Sequence, residues 1–171
     1  MSKATDRALS IFGALKSALP AAYLPPSGGT KPSTNMVLPF SLVKGTRGYI
    51  ERVVNQINGS YEHGWFDSCA VMIRRLVETL LIEAFEAKGL AGKIKNRSGD
   101  YLYLSDLIQA ALQETAWTLG RNARTALPRL KDIGDLSAHS RRFNAVREDI
   151  DSLLPSLRIA SQELLYLAGL K

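Results

Sequence analysis

The apolar run between residues 65 and 89 constrains the fold of this chain more than any other feature. Phe66, Cys69, Ile73, Leu76, Leu80 and Ala84 recur at steps of three and four. That spacing lines one face of an α-helix and is incompatible with the two-residue alternation of a half-buried strand. Lys88-Gly89 closes the run with a basic last turn and a glycine stop. The most apolar part, 70–85, still carries Arg74, Arg75, Glu78 and Glu83, and no stretch reaches the roughly 18 uninterrupted apolar residues of a membrane-spanning helix.

The same period recurs along the rest of the chain. Tyr49, Ile50, Val53, Val54 and Ile57 predict a helix that stops at Asn58-Gly59. A third helix is expected over about 103–117, with Leu104, Leu107, Ile108, Ala111 and Leu112 inward. A fourth is expected over about 125–138, with Pro128 in its first turn. The last is expected over about 145–168, kinked or locally distorted at Pro155. Residues 90–100 read as a polar basic loop. No strand-type alternation and no internal repeat is present. The expected fold is an all-α bundle of four to five helices over residues 41–171, preceded by an N-terminal arm over residues 1–40. The arm would hold a short amphipathic helix over 3–18, then a connector broken by Pro20, Pro25, Pro26, Gly28, Gly29 and Pro32.

Composition narrows the chemistry. One cysteine among 171 residues excludes an internal disulfide framework and a cysteine-built zinc site. Two histidines exclude most multi-histidine metal sites. There is no Walker loop, dinucleotide glycine fingerprint or nucleophile elbow. No metal and no cofactor is expected. Lys16 and Asp6 interrupt what could pass for a leader peptide, so a cytoplasmic protein without membrane contact is expected. With 22 Lys+Arg against 16 Asp+Glu the net charge is +6, which is compatible with a polyanionic partner.

Several side chains stand out. Cys69 falls on the apolar stripe and reads as a buried core thiol. His63 reads as a turn or capping residue. Arg74 and Glu78, one turn apart in an apolar helix, read as a structural ion pair. Asp135 and His139 share a face, so the carboxylate could orient the imidazole, and Arg141 and Arg142 follow at once. A histidine able to move a proton beside arginines able to hold a phosphate is the minimum set for metal-free RNA cleavage. The same group could equally cap the helix and tie it to its neighbour. Lys93, Lys95, Arg97, Arg121 and Arg124 are candidate nucleic-acid contacts, or simply a solvated surface.

Two blocks carry a resemblance. One is Tyr61-Glu62-His63-Gly64-Trp65-Phe66-Asp67 running into Ile73-Arg74-Arg75-Leu76-Val77-Glu78. The other is Ile133-Gly134-Asp135-Leu136-Ser137-Ala138-His139. Over about 46–168 the chain resembles a bacterial HEPN-like domain-of-unknown-function family, some of whose members are fused to restriction-enzyme subunits. The resemblance implies a helical bundle that forms homodimers. In nuclease members it implies an Arg-x(4–6)-His motif that cuts RNA at the dimer interface without metal. Here the positions that would hold that arginine are Gly134, Ile133 and Asp132. The expected function is therefore a self-associating HEPN-like interaction module, with RNA or a nucleic-acid-processing protein as partner, in phage defence or restriction. The alternative is a metal-independent endoribonuclease using His139, with Asp135 orienting it and Arg141 or Arg142 holding phosphate.

Overall fold

The computed structural model describes residues 37–171, together with Arg7 and Ser10, which are helical and exposed. Apart from those two residues, the helix expected over 3–18 lies outside the described residues, as does most of the connector. The chain divides into two units, residues 1–31 and residues 32–171. The described part of the second is all-α. Its helices are α1 (Gly48–Glu62), α2 (Phe66–Ala87), α3 (Leu104–Gln113), α4 (Arg121–His139), α5 (Arg147–Asp151) and α6 (Leu154–Leu167), with 3-10 turns at Phe40–Leu42 and Ala91–Ile94. Among the described residues no strand occurs, and Lys95 and Tyr101 make one isolated antiparallel bridge.

The hub is α2, which packs against α1, α3, α4, α5 and α6. Its predicted stripe is buried except at Phe66, which is partly covered: Cys69, Ile73, Leu76, Leu80 and Ala84 are each inaccessible, and Val77, Leu81 and Phe85 widen the buried face. A face this broad explains how one helix can contact neighbours on several sides. Its end follows from Gly89, whose φ of +69° lets the Gly89 and Leu90 N–H groups turn back to the Glu86 and Phe85 carbonyls. α1 ends the same way at Gly64.

The structure moves four of the expected boundaries. α1 does not stop at Asn58-Gly59 but runs on to Glu62. Asn58 is fully buried, and its amide is used away from its own helix: Oδ1 accepts the Val37 and Leu38 N–H groups at 3.1 and 3.0 Å, and Nδ2 donates to the Leu38 carbonyl at 2.8 Å. A side chain engaged elsewhere does not compete with the helical backbone. The same bonds draw Val37 and Leu38, assigned by sequence to the arm, into the bundle core, with Phe40 partly buried against it. α3 ends at Gln113 rather than near 117, because the Glu114 carboxylate accepts the Thr115 and Ala116 N–H groups and turns the chain. Trp117 then folds under, edge-on to Phe85 at 4.8 Å, with its indole N–H on the Ala111 carbonyl at 3.2 Å.

α4 begins at Arg121, so Pro128 lies in the helix interior and not in its first turn. Pro155 does not kink one long helix. The chain makes two, and Pro155 sits in the first turn of α6, where the absent N–H leaves no bond unmade. Among the described residues no helix is long and apolar enough to cross a membrane.

Candidate functional site

α2 and α4 approach each other closely at Gly134. A Cβ added at Gly134 would lie 2.4 Å from Arg74 Cβ and 3.1 Å from the Ala70 carbonyl oxygen. Only glycine permits that approach, and it brings Arg74 beside Asp135. Arg74 Nε donates to Asp135 Oδ1 at 2.6 Å, and Lys131 Nζ donates to Asp135 Oδ2 at 2.5 Å. The anticipated Arg74–Glu78 pair exists but is the longer contact, at 3.5 Å. Burial pushes the Asp135 carboxyl up, yet the Lys131 and Arg74 hydrogen bonds outweigh it and hold the group below the usual carboxylate range. The Lys131 ammonium is raised in turn, chiefly by its bond to Asp135.

This arrangement corrects the expected role of Asp135. Both of its oxygens serve cations, and neither bonds to His139. His139 is the last residue of α4 and is exposed. It lies in a shallow depression with Asp132, Asp135, Leu136 and Ser140. Arg141 and Arg142 follow in the linker to α5, also exposed. That linker is shaped from below: Ser140 Oγ accepts the Arg142 and Phe143 N–H groups at 3.3 and 3.2 Å, and Asp67 on α2 accepts the Ala145 N–H at 2.9 Å. Among the described residues neither arginine makes an ion pair.

The second predicted cluster sits elsewhere. Lys93 pairs with Glu114 at 2.8 Å, and the ammonium holds the Glu114 carboxyl below its ordinary value. Arg124 donates to the Leu112 carbonyl at 3.3 Å, beside the same end of α3. Lys95 lies 4.8 Å from the Tyr101 ring centroid, and Arg97 and Arg121 are exposed. Arg121 and His139 stand at opposite ends of α4, about 27 Å apart at a rise of 1.5 Å per residue. The candidate catalytic group and the candidate nucleic-acid loop are therefore not one site.

Cys69 is inaccessible, and burial pushes its thiol up to about 12, so it remains a protonated core residue. His63 closes α1, with Nδ1 bonded to the Gly59 carbonyl at 2.8 Å. Among the described residues no group of three or more His, Cys, Asp or Glu is placed to hold a metal. Sequence reasoning missed Lys131 and Arg147. Lys131 carried a findable signal, since it precedes Asp135 by one turn. Arg147 did not: its guanidinium lies 4.8 Å from the Tyr61 ring centroid and 5.4 Å from that of Phe66, across distant parts of the chain. No family model, curated protein or solved structure matches this chain.

Proposed function

We propose that this chain is a HEPN-like helical module that self-associates and holds nucleic acid without cutting it, in a phage-defence or restriction setting. One observation carries the nucleic-acid part. The stretch 139–147 contains Arg141, Arg142 and Arg147 and no acidic residue, and none of the three is neutralised by an ion pair among the described residues. Exposed guanidinium groups without ion pairs, two on the linker and one at the start of α5, are suited to phosphate. The diversion of Asp135 to Arg74 and Lys131 favours binding over catalysis, because it leaves His139 without an orienting carboxylate.

The second reading, a metal-independent ribonuclease, is favoured by the exposure of His139 in a depression next to Arg141 and Arg142. One experiment separates the two. Purified protein is titrated into labelled single-stranded RNA, with EDTA present, and both anisotropy and chain cleavage are followed for the parent and His139→Ala. Binding by both proteins with intact RNA supports the binding module. Cleavage lost in His139→Ala replaces it with the ribonuclease. No anisotropy change at about 50 mM salt overturns nucleic-acid association altogether.

A further inference from the structure

We propose that the half-exposed ring of Trp65 is a stacking platform for an unpaired base of single-stranded nucleic acid, with the Arg147 guanidinium as the adjoining phosphate contact. The inference rests on the nucleic-acid reading above and names a subsite within it. Trp65 occupies the N-cap of α2 but makes no side-chain cap bond, at a position where Ser, Thr, Asp or Asn would satisfy the helix. It also follows the glycine that ends α1, where an apolar residue ordinarily packs back on the helix. Its hydrogen-bond partner there is Ser60, which offers no apolar side chain. Trp65 is 46% exposed and stands outside the core cluster. A large residue that serves neither cap nor core breaks local rules without structural gain, and such places are where function is expected.

The surroundings are preorganised for a flat ligand. His63 lies against the indole at 4.9 Å with a 31° tilt, and its Nδ1 is fixed on the Gly59 carbonyl. Gly64, at φ +73°, sets the turn that holds both rings between two rigid helices. Arg147 is held over Tyr61 and Phe66, which flank the same turn and meet edge-on at 5.7 Å. Of the carboxylates around this turn, Asp151 accepts the Tyr61 hydroxyl and Asp67 accepts the Ala145 N–H, while Glu62 and Glu148 face solvent. A half-exposed indole next in sequence to Phe66, whose ring carries an arginine that makes no ion pair, offers the two kinds of group that single-strand binders use.

The chain has two tryptophans, and the other, Trp117, is only 8% exposed, so emission separates them. The test titrates the full chain with a labelled oligoadenylate of about ten nucleotides, reading indole emission and label anisotropy together. Saturable quenching of the exposed indole should accompany the anisotropy rise. Trp65→Leu should lose the quenching and bind about fivefold or more weakly, with Trp117 emission reporting that it is folded. Arg147→Gln should weaken binding while leaving the quenching at saturation. Anisotropy that rises without quenching, or Trp65→Leu binding as tightly as the parent, overturns the stacking platform and leaves the nucleic-acid reading standing. No anisotropy change in any protein overturns both. Loss of self-association in Trp65→Leu with RNA affinity intact makes the ring a protein contact and also overturns the proposal.

Discussion

Gly134 and Asp135 are adjacent, and together they decide how α2 meets α4. Replacing Gly134 with alanine places a methyl group against Arg74 Cβ and the Ala70 backbone, neither of which is the free end of a flexible chain. Overpacking of this kind costs about 1–3 kcal/mol, opposed by roughly 0.8–1 kcal/mol from better helix propensity. Gly134→Ala should therefore be less stable in urea unfolding, by up to about 2 kcal/mol. Equal or greater stability would show that the helices can part without cost. Asp135 makes a pH-dependent contribution at the same crossing. Its carboxyl is held low in the folded chain, so folding favours the ionised form. That stabilisation is complete above the unfolded value of about 3.9 and is lost as pH falls through the lower folded value. Asp135→Asn should be less stable than the parent at neutral pH, and the gap should close in acid below about pH 4. A gap that stays constant into acid would remove the charge of Asp135 from the account.

Among the elements, the two helical prolines make opposite predictions. Pro128 stands in the interior of α4, where its ring and missing N–H disfavour the helix by up to about 3 kcal/mol. Pro128→Ala should raise stability by about 1–3 kcal/mol in the same unfolding assay. Pro155 stands in the first turn of α6, so Pro155→Ala should change stability by less than about 0.5 kcal/mol or lower it slightly. Similar gains at both positions would contradict the boundary between α5 and α6. These prolines also mark how far the sequence could be read. The stripe of α2 was legible because burial imposes the three-four spacing directly. The start of α4 was not, because Gly120 and four polar or small residues give no periodic signal, and the contact that fixes it comes from Glu163 on α6, whose Oε1 accepts the Gly120 N–H at 2.5 Å. Asn58 misled for the same reason. Next to glycine it looks like a stop, and only its distant partners at Val37 and Leu38 explain why the helix continues.

At the scale of the whole molecule, the antiparallel packing of α2 against α4 sets two groups of basic residues at opposite ends of the bundle. At one end Lys93 is neutralised by Glu114, Arg124 rests on a backbone carbonyl, and Glu163 covers the start of α4, while Arg97 and Arg121 stay exposed without an ion pair among the described residues. At the other end Arg141, Arg142 and Arg147 lack such partners among the described residues. The sequence displayed both sets of basic residues equally. It could not show which charges the fold neutralises, since Lys93 and Glu114 are brought together only by the turn after α3. Affinity for a polyanion follows the charges that remain free, because each phosphate contact releases a condensed counterion. For single strands, each contact contributes about 0.7 to the slope of log affinity against log salt. Arg141→Gln and Arg142→Gln should each weaken RNA binding and flatten that slope by about 0.7. Lys93→Gln should leave both almost unchanged, because its charge already faces Glu114. The reverse pattern, with the slope sensitive to Lys93 and indifferent to Arg141 and Arg142, would move the nucleic acid to the opposite end of α4 and away from His139.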